Sequence, residues 1–285
     1  MDNNSLLVTP MSQEIPLTPG ETYTGTITVA NPSTATNDLS YTVSISPYGV
    51  MGANYNIDLY SKTSRTEIID WIKIDNPSGT LAPNSTIDIN FTIKVPQDAA
   101  PGGQYAAIKI TSNANNTTEN SLSIGNIYEI ASIIYGNVAG DVVREGSVIS
   151  QSMPSFIINP IFTSTATIEN HGTTHEDAFV TFKITNAFNG GVIYAQSDSN
   201  KGINEIIMPD TSRELTYTFD NLPVIGVINV SQTIDYNGET YSLDQNIIIC
   251  PIWFMILIAG IMLSLAGLII ARVRKTRHKK RASTI

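Results

Sequence analysis

Apolar and polar residues alternate along most of the chain before residue 250. The clearest runs are Tyr23 to Ala30, Tyr41 to Ser46, Ile87 to Val95, Tyr105 to Thr111, Thr163 to Glu169, Ala178 to Thr185 and Leu215 to Phe219. A period of two places every second side chain on the same face of a strand, so these runs predict half-buried β-strands. Helical periodicity is almost absent from this region. We therefore predict an all-β fold with antiparallel sheets.

The turns ahead of these runs repeat one pattern. An apolar residue, a spacer, a proline, a turn former and then a hydroxyl residue occur in Leu17 to Thr22, Leu81 to Thr86 and Ile207 to Ser212. Proline presets the second turn position, Gly, Asn or Asp tolerates the next, and the apolar residue fills the edge of the core. Two copies precede residue 138 and one follows it, which indicates two immunoglobulin-like β-sandwiches.

Tyr105 is a candidate tyrosine corner. It follows Asp98 and the turn Pro101-Gly102-Gly103, as a tyrosine would whose phenol ties a strand to its incoming loop. The expected role is structural.

After Pro251 the pattern changes completely. Twenty uncharged residues run to Ala271, which is enough for a helix of roughly 30 Å, the thickness of a bilayer core. Seven cations follow: Arg272, Arg274, Lys275, Arg277, Lys279, Lys280 and Arg281. They predict a cytoplasmic C-terminus that contacts the membrane surface, with the preceding residues outside the cell membrane. The competing interpretation is a buried helix of a soluble protein.

The predicted domains are residues 1–138, a first immunoglobulin-like domain; 139–249, a second; 250–271, a single transmembrane helix; and 272–285, a basic cytoplasmic tail. Glycines 136, 140 and 146 cluster at the first boundary. Because almost no linker separates the second sandwich from the span, we expect that sandwich to stand close to the lipid.

Charge and cysteine content narrow the function classes. All 25 acidic residues precede the span together with nine of the 16 basic ones, a formal balance of −16. Such a surface repels nucleic acid, so we expect no nucleic-acid partner. Cys250 is the only cysteine, so the sandwiches fold without intrachain disulfides. Residues 1–10 lack a basic n-region and an apolar h-region, so we expect the sequence to begin after a cleaved signal.

The candidate chemistry is sparse. His171 and His175 lie near Glu169, Glu176 and Asp177, but at a turn between strands rather than on a helix, so we interpret the segment as a solvated, acidic hairpin tip, with a metal site as the alternative. No nucleophile elbow, Cys-His pair or phosphate-binding glycine loop occurs. We predict no catalytic residue, metal or cofactor; a carboxylate-based hydrolase is the enzymatic alternative.

The segment from Pro47 to Glu67 is the candidate binding site. It shows no clear alternation over about twenty residues, and long loops in compact domains are often functional. Its candidate ligand-binding residues are Tyr48, Asn54, Tyr55, Asn56, Tyr60 and Arg65. Tyrosine rings stack on sugars while amides bond hydroxyl and acetamido groups, as a glycan or peptide site requires. In the alternative interpretation, the tyrosines pack the loop onto its own sandwich.

Several motifs in residues 5 to 138 together resemble one known family. They are Leu17 to Thr22, Val29-Ala30-Asn31-Pro32, Trp71 to Ile74, Leu81 to Asn84 and Val95 to Ile108. This part of the chain is similar to the N-terminal domain of the WxL-interacting cell-surface proteins of Gram-positive bacteria. The resemblance implies peptidoglycan binding by an immunoglobulin-like domain, adhesion through a second domain, and a C-terminal anchor. The second domain departs from the family pattern, because the aromatic-rich C-terminal strand is missing.

The combined hypothesis is a membrane-anchored, non-enzymatic cell-surface binding or adaptor protein. Its expected partners are the lipid bilayer and either peptidoglycan or other surface proteins. The alternative is a structural or accessory subunit of a membrane-associated surface assembly, without a glycan site.

Overall fold

The computed structural model describes residues 6–32, 35, 38–114, 127–195 and 202–282. The chain forms two compact units. Unit 1 comprises Met1–Ser147, Ile168–Asp177 and Ile206–Glu214, and unit 2 comprises Val148–Thr167, Ala178–Glu205 and Leu215–Ile285. Both units are discontinuous along the chain, so they mark no single boundary between domains. The bounds of the four segments given above, 1–138, 139–249, 250–271 and 272–285, stay predictions.

The first half of the chain forms two sheets and a small hairpin. One sheet has the order β1 (Leu7–Thr9), β3 (Thr22–Asn31), β9 (Ser85–Lys94) and β7 (Ile72–Ile74). The other has the order β2 (Ser12–Leu17), β11 (Ile127–Val138), β10 (Gly102–Ala114), β4 (Leu39–Pro47) and β8 (Ser78–Leu81). The hairpin pairs β5 (Gly49–Met51) with β6 (Asn56–Asp58). The ladders are antiparallel except for β2 with β11, which is parallel.

The second half repeats this plan. A three-stranded sheet has the order β12 (Gly146–Ser152), β14 (Phe162–Asn170) and β18 (Thr211–Phe219). The larger sheet has the order β13 (Phe156–Ile157), β20 (Glu239–Ile249), β19 (Gly226–Tyr236), β15 (Glu176–Asn186) and β16 (Val192–Ala195), and β17 (Ile203–Ile207) pairs with β15. Here too the first strand of the larger sheet, β13, runs parallel to the last, β20.

Both strand orders correspond to an immunoglobulin-like sandwich. In each half the first strand is split between the two sheets, and the last two strands form a long antiparallel pair in the larger sheet. The predicted fold class is confirmed: the chain is mostly β, its sheets form immunoglobulin-like sandwiches, and one apolar helix follows at the C-terminus. Each of the seven alternating runs lies within a strand or extends one residue beyond it.

The cores follow from the alternation. In unit 1, Ile27 and Phe91 from one sheet and Ile108 and Ile134 from the other are almost completely buried in a single cluster. In unit 2 the Phe219 ring stacks on Phe162 with a centroid distance of 5.1 Å and meets Phe182 edge-on at 4.9 Å. Cohesion in both units is therefore hydrophobic and independent of Cys250, which is free.

The repeated corner is confirmed at all three places. Its apolar residues, Leu17, Leu81 and Ile207, are buried. Its turn formers adopt positive φ, with 82° at Gly20, 56° at Asn84 and 58° at Asp210. A strand follows each corner directly: β3, β9 and β18. A proline followed by a residue with positive φ is the geometry of a type II turn, which explains the residue choice.

The chain ends in the helix α1 (Ile252–Ala282). Over Ile252–Arg272 it has a mean hydropathy of 2.7 and is not buried, so it is long and apolar enough to cross a membrane. Only Cys250 and Pro251 separate it from β20. The helix thus belongs to unit 2 and continues directly from the last strand of that sandwich.

Candidate functional site

The predicted binding segment contains more regular structure than its sequence indicated. Its first half is the β5–β6 hairpin, in which Val50 pairs with Ile57 and Met51 with Asn56. Gly52 and Tyr55 adopt positive φ in the connecting turn, where the Tyr55 N–H donates to the Gly52 carbonyl at 3.2 Å. The expectation of an irregular loop is therefore wrong for these residues. Two strands of three residues are too short to show alternation.

An aromatic cluster supports the start of this hairpin within unit 1. Tyr48 meets Tyr135 edge-on with a centroid distance of 5.8 Å, and their hydroxyls are 3.3 Å apart. Tyr135 meets Tyr105 at 5.9 Å and His175 at 5.0 Å. We call these four residues the aromatic cluster. Perpendicular and tilted rings at these distances stabilise one another beyond their buried area.

Tyr105 and His175 are joined by two contacts. The His175 backbone N–H donates to the Tyr105 phenol oxygen at 2.9 Å, and the same oxygen lies 3.2 Å from Nδ1 of that histidine. A neutral imidazole protonated on Nε2 would accept the phenol proton at Nδ1. Burial lowers the pKa of His175, although the carboxylates of Glu14 and Asp177 oppose that shift. Burial also raises the pKa of Tyr105 and of Tyr135.

The tyrosine-corner prediction for Tyr105 is wrong about the hydrogen-bond partner of the phenol. The phenol bonds His175, seventy residues later, instead of the incoming loop near Asp98. The structural role itself is retained, because Tyr105 is buried with only 1% of its surface exposed. A contact over this sequence distance leaves no local signal in the chain.

Tyr55 ties the hairpin turn to the segment Ile206–Glu214 of unit 1. Its phenol oxygen accepts the Met208 N–H at 3.0 Å and pairs with the Thr211 hydroxyl. The Arg213 guanidinium lies 4.6 Å from the centroid of the Tyr55 ring. Burial raises the pKa of Tyr55, while its hydrogen bonds and the Arg213 charge act in the opposite direction. The ring is thus occupied by internal contacts.

The far end of the segment is also fixed. The Arg65 carbonyl accepts the Tyr105 N–H at 2.7 Å. The Arg65 guanidinium lies 3.9 Å from the Asp210 carboxylate. The Ser64 carbonyl accepts a hydrogen bond from the Gln104 amide at 2.8 Å. Sequence reasoning did not identify Gln104, whose buried amide also accepts the Ile68 N–H at 3.2 Å. The loop is therefore held at both ends before any ligand binds.

The six predicted ligand-binding residues separate into two groups. Tyr48, Tyr55 and Arg65 are partly buried and make the internal contacts described above. Asn54, Asn56 and Tyr60 are exposed, Tyr60 with 87% of its surface accessible. Met51 and Ile57 of the same hairpin are also exposed. Ligand binding by these residues stays a prediction, and the exposed group is the part that a partner can reach.

The two histidines, His171 and His175, lie in different environments. His171 is exposed, with Nε2 3.2 Å from a Glu169 oxygen, whereas the His175 side chain is only 10% exposed and packs in the aromatic cluster. The solvated hairpin tip is thus a wrong expectation for Gly172 and Thr174, which are buried. Asn170 explains this, because its amide donates to two backbone carbonyls of unit 1. In the described part of the chain, no group of three or more His, Cys, Asp or Glu residues could hold a metal.

Unit 2 contains a separate cavity of about 370 Å³ that sequence reasoning missed. Its walls include Ile193, Tyr194, Phe219 and Leu222, and Asp220 is the charged residue among its lining. The walls come from β16, the end of β18 and the loop that follows, which are far apart in sequence. Thr218, Asp220 and Asn221 make part of this lining polar.

The predicted membrane-surface residues belong to the last turns of α1. Arg272 is exposed. The side chains of Arg274, Lys275, Arg277, Lys279, Lys280 and Arg281 lie outside the described part of the structure.

Comparison with known proteins gives resemblance in fold alone. No family model and no curated protein matches this chain. Among solved structures, the class 5 fimbriae chaperone CfaA is 13% identical, with a TM-score of 0.40, and the alignment covers 86% of this chain and 99% of that one. A chain from the Salmonella enterica SafA pilin–SafB chaperone complex is 10% identical, with a TM-score of 0.41 and coverages of 86% and 96%.

A chain from the CsuC–CsuE chaperone and tip-adhesion-subunit complex of Acinetobacter baumannii is 12% identical. Its TM-score is 0.38, with 85% of this chain and 98% of that one covered. Identities and scores this low carry no conclusion about activity or partner.

Proposed function

We propose that this chain is a non-enzymatic, single-pass membrane protein that presents two immunoglobulin-like sandwiches at the cell surface as a binding or adaptor module. The exposed helix α1 carries the proposal. Its apolar stretch over Ile252–Arg272 is not buried against any of the described residues. Leaving one large apolar side chain in water costs about 1.5–3 kcal/mol, and the stretch holds fourteen of them, so it requires an apolar medium.

The charges on either side of α1 support one orientation. Seven cations follow the apolar stretch within ten residues, while the part of the chain before it carries a formal charge of −16. Basic residues close to a span remain in the cytoplasm. The sandwiches then lie on the outer side of the membrane, as a surface role requires.

The β5–β6 hairpin supports binding. It is held by the aromatic cluster, by Tyr55 and by Arg65, so little conformational entropy is lost when a partner contacts it. Tyr60, Ile57 and Met51 are exposed on this ordered segment. Exposed aromatic and aliphatic residues on a rigid hairpin are suited to anchor a protein partner.

A protein partner fits this surface better than a sugar chain. Two of the three candidate tyrosines, Tyr48 and Tyr55, already use their rings and hydroxyls internally. A glycan site needs several accessible rings and amides together. Tyr60 with Asn54 and Asn56 is the exposed combination that favours cell-wall glycan as the second candidate, in line with the family resemblance of residues 5 to 138.

Site-specific crosslinking tests the proposal. A photoreactive residue replaces Tyr60 in the full chain in intact cells, and the matched control replaces Lys73, an exposed residue of β7 in the same unit. We expect a discrete protein adduct from position 60 that position 73 does not give. An adduct whose size falls on muramidase treatment would assign the site to glycan.

Two results would count against this role. Equal yields of one stoichiometric neighbour from both positions would favour a structural subunit of an assembly. No adduct from either position, with the protein intact in the membrane, would remove the hairpin as a binding site.

A further inference from the structure

The strand register brings four connections to one end of the unit 2 sandwich. Gly226, the first residue of β19, pairs with Ile249, the last residue of β20. Ile157, the last residue of β13, also pairs with Ile249, and Asn186 at the end of β15 pairs with Ile228 beside Gly226. The loops 158–161, 187–191 and 220–225 and the link to α1 therefore share this end.

All three loops expose large apolar side chains. We call them the apolar rim, and its members with their exposed fractions are Ile158 (42%), Ile161 (52%), Phe188 (80%), Val224 (57%) and Ile225 (40%). Phe156 and Ile248, paired on adjoining strands, are each 48% exposed beside it. Single exposed apolar residues are common on protein surfaces, but five on the loops of one end mark an interaction surface.

The same end is nearly free of charge. Asp220 is the one ionisable residue among the fifteen of these three loops. The chain before α1 as a whole carries a formal charge of −16. A rim without this excess of carboxylates is not repelled by anionic lipid, unlike the rest of the surface.

The short link to α1 fixes the distance between the rim and the bilayer. Cys250 and Pro251 together span at most about 7 Å. The Cys250 N–H donates to the Ile157 carbonyl at 3.0 Å, which holds the first of these residues against β13. The polar layer on each side of a bilayer core is roughly 5–8 Å thick. The end of the sandwich that holds the rim therefore lies at headgroup depth once α1 spans the membrane.

Trp253 supports the same depth. It is the second residue of α1 and is 58% exposed. Tryptophan is enriched where hydrocarbon meets headgroups, because its ring is apolar and its N–H is polar. A water–lipid boundary at Trp253 places the rim loops close to that boundary.

We propose that the apolar rim inserts into the outer interface of the bilayer that α1 spans, so that unit 2 is held on the lipid as well as tethered to it. The inference rests on the proposed membrane anchorage. The occupant is lipid, because α1 forces this end towards the bilayer and the rim has the apolar character and low charge that the interface accepts. Rim contact restricts rotation of the unit 2 sandwich about the two-residue link to α1.

Depth measurements on spin labels test this inference in the full chain reconstituted in anionic nanodiscs. In a Cys250→Ser background, single cysteines replace Phe188 or Val224 in the rim, Glu239 at the opposite end of β20, or Leu263 in the middle of α1. Relaxation by oxygen reports lipid exposure, and relaxation by a nickel chelate reports water exposure. We expect oxygen to dominate at Phe188, Val224 and Leu263, and the chelate to dominate at Glu239.

The label positions separate the possible failures. Chelate access at Phe188 and Val224 with a lipid signal at Leu263 would overturn rim insertion but leave the anchor standing. Chelate access at Leu263 would overturn the anchor itself. Rim labels shielded from both reagents, or broadened by a second labelled copy in the same nanodisc, would assign the rim to a protein contact and contradict lipid insertion.

Discussion

Tyr105 shows what single residues contribute to unit 1. It lies on β10 two residues after Gly103, and its ring contacts Tyr135 and His175 while its hydroxyl accepts the His175 backbone N–H. The sequence predicted that this tyrosine is structural, because it follows a Pro-Gly-Gly turn. The identity of its partner depends on folding seventy residues further along the chain. No local pattern could have named it.

Gly103 is required by the Tyr105 hydroxyl. A Cβ at position 103 would lie 1.9 Å from that oxygen and 2.5 Å from the ring carbon that bears it. We expect Gly103→Ala to reduce the free energy of unfolding by about 1–3 kcal/mol, the usual effect of overpacking a buried site. Gly49→Ala is the control, because a Cβ there meets no atom within 4 Å.

Urea unfolding of the chain held in nanodiscs measures the free energy of unfolding of both variants. The control should change stability by less than about 0.5 kcal/mol. Equal stability of both variants and the parent would contradict this prediction, because it would show that the Tyr105 ring moves aside without loss of stability.

His175 should make unit 1 less stable in mild acid. Its native pKa is lowered by burial from an ordinary value of 6.5, so as the pH falls below that value the unfolded chain takes up a proton that the native state resists. Stability is then fully present above about pH 6.5 and is lost below it, by at most about 1.4 kcal/mol per pH unit for one proton. Burial raises the pKa of the neighbouring Glu176, which acts in the opposite direction.

The comparison of variants isolates the histidine. We expect urea unfolding of His175→Gln to lose less stability between pH 7.5 and 5 than the parent does. The exposed His171→Gln serves as the control and should follow the parent. An acid response unchanged in His175→Gln would contradict a neutral, buried imidazole.

At the scale of elements, the strands and corners could be predicted and the hairpin could not. The corners depend on local chemistry, namely proline followed by a residue that accepts positive φ, as at Gly20, Asn84 and Asp210. The long strands depend on alternation, which is visible over several residues. The β5–β6 hairpin has short strands, and its supports come from distant positions such as Met208 and Thr211.

Tyr55 should determine the order of this hairpin. Tyr55→Phe removes the oxygen that accepts the Met208 N–H, and Met208 is buried, so a backbone donor loses its partner at a cost of about 1–3 kcal/mol. Amide hydrogen exchange should become faster from Gly49 to Asp58. Tyr60→Phe, at an exposed tyrosine of the same segment, is the control. Unchanged exchange in Tyr55→Phe would mean that the cation–π contact with Arg213 suffices.

On the scale of the whole molecule, the proposed function depends on where the chain places its apolar surface. The candidate span is predicted by twenty consecutive uncharged residues before a cluster of cations. The apolar rim was hidden, because Ile158, Phe188 and Val224 lie in three separate loops that only the register of β13, β15 and β19 brings to one end. Sequence therefore predicts an anchor and its orientation, and structure adds the apolar rim that we propose faces the lipid.

The central claim is that α1 crosses the membrane once and leaves both sandwiches outside. Labelling with a membrane-impermeant maleimide in intact protoplasts tests it most directly, with single cysteines at Glu239 or Ser283 in a Cys250→Ser background. We predict that the Glu239→Cys chain is labelled at once and the Ser283→Cys chain only after permeabilisation. Labelling of Ser283→Cys in intact protoplasts, or protection of Glu239→Cys, would contradict the account.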